Sequence, residues 1–124
     1  MKKILWLTLV AALFAGCYYD NEERLYPNLN NACDTTSVTF SGSVQPILGS
    51  NCTSCHSASE NAASGGNVNL GDYNSVKKVV DDGRLYGAIQ HDPAYSPMPK
   101  GGAKLDACSI KKIKAWIDRG AVDN

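Results

Sequence analysis

The chain carries the run Cys52-Thr53-Ser54-Cys55-His56 once. Two thiols separated by two small residues, with an imidazole adjoining the second, limit what the segment can do. It can hold a metal, cycle as a dithiol, or capture a cofactor covalently. A structural zinc site wants four ligands, usually as two spaced pairs. The sequence has no second C-x-x-C and no H-x-H pair, and adjacent Cys55 and His56 are awkward partners for Cys52 on one tetrahedral ion. A redox C-x-x-C usually follows a buried strand and opens a helix. The preceding residues, Pro46 to Asn51, end in turn formers and are too short for such a strand.

C-x-x-C-H is also the pattern of covalent c-type haem attachment, in which each thiol adds to one vinyl group as a thioether and the histidine presents its imidazole to iron. On these residues the chain resembles the small mono-haem c-type cytochromes. The resemblance runs over residues 38–124. It implies an all-α, cytochrome c-like fold of three to five short helices around one haem c. Cys52 and Cys55 would hold the haem and His56 would be one axial ligand. A single motif and no internal repeat imply one haem per chain. The stretch Tyr95-Ser96-Pro97-Met98-Pro99-Lys100-Gly101-Gly102 resembles the distal methionine loop of the same family, making Met98 the second axial ligand. Its prolines and glycines exclude a packed helix or strand, so Met98 is not ordinary core filler. The alternative ligand is His91, seven residues earlier, which otherwise serves as a loop or propionate hydrogen-bonder. Tyr73, Arg84 and Trp116 are further candidates near the haem.

The first residues read as a processing segment. Met1-Lys2-Lys3 is basic, and Ile4 to Gly16 is uncharged and apolar but shorter than the ~20 residues that span a bilayer. Leu13-Phe14-Ala15-Gly16-Cys17 resembles a bacterial lipobox. Residues 1–16 are then a lipoprotein-type signal peptide, Cys17 is lipidated, and polar residues 17–36 are a tether to a membrane. Ordinary signal cleavage, with Cys17 free or disulfide-bonded, is the alternative. Export agrees with the haem, which the family attaches outside the cytoplasm, and points to the periplasm or cell surface.

Five cysteines divide among these roles. Cys17 takes lipid, Cys52 and Cys55 take haem, and Cys33 and Cys108 remain as an even pair in an oxidising compartment. A Cys33–Cys108 disulfide is expected, with two buried free thiols as the alternative.

In the remaining chain, residues 37–124, apolar spacing predicts short helices. Val44, Ile47 and Leu48 mark a first helix within 38–50, capped by Ser41 or Ser43, with Pro46 tolerable only in its first turn. Residues 57–69 read as loop, and Gly65-Gly66 indicates close backbone approach, with the haem edge as the expected neighbour. Val76, Val79 and Val80 mark a helix over 74–82 ended by Gly83, and Leu85, Ala88 and Ile89 mark another over 85–90. The clearest helix covers 105–120, with Asp106 as cap, Ile110, Ile113, Trp116 and Ile117 inward, and Lys111, Lys112 and Lys114 facing water. Such a domain has little core of its own, and the haem would supply the apolar centre.

The chain has twelve basic and twelve acidic residues, and removal of residues 1–16 takes two lysines, leaving a net charge of −2. This is no nucleic-acid footprint. Lysines around Met98 and in the last helix would instead face an acidic redox partner. The expected function is an electron carrier with His/Met ligation and no catalytic residue. A haem enzyme or a gas or peroxide sensor with displaceable Met98 is the alternative, followed by a zinc or dithiol lipoprotein.

Overall fold

Helix formation begins at Thr39, whose backbone is extended and whose side-chain oxygen accepts from the Gly42 amide at 3.0 Å. A computed structural model describes residues 33–124. In it Ser41 and Ser43, the expected caps, lie inside a π-helical turn, Phe40–Val44, that runs directly into α1, Gln45–Asn51. The wide turn has a local cause. Pro46 lacks an N–H and its ring crowds the carbonyl four residues back. A π turn just before it spreads the carbonyls, and the Gln45 amide bonds to the Phe40 carbonyl instead.

Four more helices follow: α2, Thr53–His56; α3, Tyr73–Asp81; α4, Arg84–Gln90; and α5, Ala107–Asp118. Among the described residues there is no strand, and no helix is long and apolar enough to cross a membrane. The caps of α3 and α5 follow from aspartates. The Asp72 carboxylate accepts from the Ser75 amide at 2.9 Å, a bond that also holds its pKa below the usual value. Asp106 accepts from the Cys108 and Ser109 amides. Both satisfy amides that the first helical turn leaves without partners. Gly83, at φ 79°, separates α3 from α4 in a left-handed conformation that suits a residue without a Cβ.

The protein supplies more core than the loop-rich sequence promises. Trp116 is 1% exposed, and its ring lies 5.4 Å from that of Phe40. Tyr73 meets Phe40 edge-on at 5.2 Å. The polar ends of both larger rings are satisfied by the C-terminal segment: Trp116 Nε1 donates to the Val122 carbonyl and the Tyr73 hydroxyl to the Ala121 carbonyl. Phe40 and Ser41 amides donate in turn to Asn124. The π turn therefore packs on α1 and α5, while α4 packs on α3 and α5. Lys111 is exposed as expected, but Lys112 and Lys114 are half-buried, and Lys114 Nζ lies 5.6 Å from the centre of the Tyr86 ring. The α4 helix runs beside that face of α5, so the lysine ammonium lies over an aromatic ring while also reaching Asp118.

Cys33 and Cys108 form a disulfide with Cα atoms 5.3 Å apart. It ties the start of the described residues to α5, and residues 33–124 form one compact unit. Asp34 accepts from Thr36, and Arg119 donates to the Thr35 carbonyl. The expected signal peptide, Cys17 and most of the tether lie outside the described residues.

Trp116→Ala removes the largest fully buried side chain and is expected to cost about 3–5 kcal/mol. Trp116→Phe, which keeps an aromatic ring but loses the bond to Val122, should cost less. Urea unfolding midpoints of the two variants measure the difference.

Candidate functional site

The turn from Cys52 through α2 brings Cys52, Cys55 and His56 to the wall of a cavity of about 520 Å³. Sequence-distant segments complete it. Val68 and Leu70 come from the segment after the loop, Val79 from α3, and Leu85, Ala88 and Ile89 from α4. Met98 and Pro99 line it from the segment before α5. The charged lining residues are Arg84 and Lys100, with no carboxylate among them. Arg84 is steadied by Asp82, which accepts from its Nε at 2.8 Å.

His56 is held by the segment that follows its loop. Its Nδ1–H donates to the Val68 carbonyl at 3.0 Å, and its own carbonyl accepts from the Leu70 amide at 2.7 Å. A carbonyl only accepts, so the proton sits on Nδ1 and Nε2 is the nitrogen left for coordination. The intervening loop is organised by Asn61. Its side-chain amide donates to the Ser57 and Ala58 carbonyls, and its carbonyl accepts from the Gly65 and Asn67 amides. That closes the loop tightly against the motif. A Cβ on Gly65 would fall 2.5 Å from the Cys55 carbonyl oxygen and 2.9 Å from His56 Nδ1. Gly65 thus approaches the histidine's own back, whereas a Cβ on Gly66 would meet nothing within 4 Å, and both glycines line the cavity.

Met98 lines the cavity with both backbone polar groups engaged. Its amide donates to the Ala88 carbonyl at 3.0 Å, and its carbonyl accepts from His91 Nε2–H at 2.9 Å. His91 does not line the cavity. Of the other candidates, Arg84 lines it, whereas Tyr73 and Trp116 belong to the core on Phe40. The two motif thiols are free in this structure. Cys55 is exposed, and burial pushes the Cys52 thiol up to about 11. Among the described residues no three His, Cys, Asp or Glu side chains form a group able to hold a metal ion.

Sequence reasoning missed Val68, Asn61 and Tyr95. Val68 acts through its carbonyl, which no side-chain pattern reports. Tyr95 left a trace in Gly87, a glycine inside α4, where a Cβ would lie 2.2 Å from the tyrosine ring. No family model, curated protein or solved structure matches the chain.

Two outcomes follow from this geometry. Gly65→Ala, forced against backbone, is expected to destabilise the domain by about 1–3 kcal/mol, read from its thermal midpoint. Alkylation separates the thiols. The thiolate is the reactive form. A raised Cys52 pKa keeps that thiol protonated at pH 8, so iodoacetamide should label Cys55 first. Labelling of Cys52 should climb with pH and level off only above about 11, as followed by mass spectrometry.

Proposed function

We propose that this protein is an electron carrier with one covalently attached haem c in the cavity, Cys52 and Cys55 as thioether anchors, and His56 and Met98 as axial ligands. One observation carries the reading: Cys52, Cys55, His56 and Met98 all line one largely apolar cavity of about 520 Å³. The donor chemistry suits haem iron, and the size lies within the range of cofactor pockets.

When bound, haem supplies a one-electron couple. The chain's own residues do the rest. The Val68 carbonyl fixes the ring of His56 and raises its basicity as a ligand. The walls of valine, leucine and isoleucine keep water off the site. Arg84, paired with Asp82 outside the lining, and Lys100 provide positive charge for the two haem carboxylates, and no acid lines the cavity beside them. Filling both axial positions leaves no site for a substrate on iron, which favours carriage of electrons over catalysis. The cytochrome c-like arrangement is part of the same proposal. So is export to the periplasm or cell surface on a lipid anchor at Cys17, which the Cys33–Cys108 disulfide supports, since such bonds persist in oxidising compartments. Exposed Lys100, Lys104 and Lys111 are available to an acidic partner.

Haem staining after denaturation tests attachment, because thioether-linked haem stays on the chain. The expected result is a stained band lost in Cys52→Ala/Cys55→Ala; an unstained native chain overturns the proposal. The near-infrared sulfur-to-iron band of the oxidised protein should vanish in Met98→Ala and persist in His91→Ala. Electron-transfer rates with the partner should fall as salt is added. A rate independent of salt removes the lysine docking face.

A further inference from the structure

We infer that His91 is the positioning residue for Met98, a latch that holds the loop so that the thioether stays in the cavity. The inference rests on the His/Met reading above. Its first support is conformational. His91 ends α4 with φ 57° and ψ 40°, the left-handed region that glycine or asparagine usually occupies at a helix C-terminus. A histidine there is strained, because the left-handed conformation brings its Cβ close to the following carbonyl oxygen. Strain of this kind persists where the surroundings determine it, and here the residue's side chain has a definite job.

That job is the second support. His91 Nε2–H donates to the Met98 carbonyl at 2.9 Å. The Met98 amide donates to the Ala88 carbonyl, which also accepts from the His91 amide at 3.2 Å. The segment 91–98 is therefore a loop whose far end is returned to the last turn of the helix it left. The Asp92 amide closes it further on the Gly87 carbonyl, and Tyr95 rests on Gly87. Of these ties, the His91 bond is the side-chain grip on Met98 itself. With both backbone groups of Met98 engaged, its remaining freedom is side-chain torsion, and little entropy is left to lose when sulfur meets iron. His91 thus acts through Met98 and needs no contact with the metal.

A purely structural role makes a different prediction. His91→Gly relieves the left-handed strain, so thermal stability of the haem-loaded protein should hold or rise. It also removes the latch, so Met98 should yield more readily to an added ligand. Titrating the oxidised protein with imidazole, and following loss of the near-infrared sulfur-to-iron band, reads this directly. Loss of one neutral hydrogen bond should tighten apparent imidazole binding about threefold to tenfold. His91→Gln, whose amide has the reach of Nε2, should restore wild-type affinity and provides the measurement if the glycine variant does not assemble. Equal imidazole affinity in wild type and His91→Gly overturns the latch while the band in wild type upholds Met98 ligation. A haem-loaded wild type without that band overturns both, because Met98 is then not on iron.

Discussion

The contact between Phe40 and Trp116 joins the first helical segment to the last, and the site depends on it. Phe40 opens the π turn that feeds α1, and α1 leads into Cys52. Trp116 sits in α5, whose first turn carries the disulfide to Cys33. Burying the indole at 1% exposure without losing its N–H bond requires the Val122 carbonyl, so the C-terminal segment must fold beneath it. The same segment then caps the π turn through Asn124. Apolar burial supplies the main favourable term and hydrogen bonding decides the geometry that burial can take. Once both ends are joined, α2 is set against the loop that holds His56.

From there the cavity is built by backbone more than by side chains. His56 is oriented by the Val68 carbonyl, Met98 by the Ala88 carbonyl and by His91. Gly65 lets the loop come within reach of the imidazole. Orientation by neighbouring carbonyls is how a coordinating histidine has its tautomer chosen. In the proposed haem site this division leaves the apolar walls to exclude water, with Lys100 and the Asp82-paired Arg84 as the cations at its lining.

Much of this was legible beforehand, for identifiable reasons. The α3 and α5 helices carry regular apolar stripes, and Asp106 caps α5 as expected, so the expected bounds agreed within about two residues. The first segment was harder. Serine and threonine cap alike, and the π turn forced by Pro46 moved the start back to Thr39. Lys114 lies off the apolar stripe of its helix, yet α4 runs alongside and the Tyr86 ring lies beneath its ammonium. Helical periodicity describes one helix at a time and contains nothing about its neighbour.

The sequence by itself determined the reactive groups: two thiols and an imidazole within five residues, the Met98 thioether between two prolines, and the cysteines at 33 and 108. Those follow from covalent chemistry, which spacing along the chain expresses directly. Tertiary structure alone decided that Met98 and the Cys52-Cys55-His56 run share a cavity, that Nδ1 of His56 is occupied, and that His91 faces the Met98 backbone rather than the cavity. Each of these depends on a carbonyl or a backbone angle far along the chain. Every residue carries the same carbonyl, so only the fold determines which one is within reach.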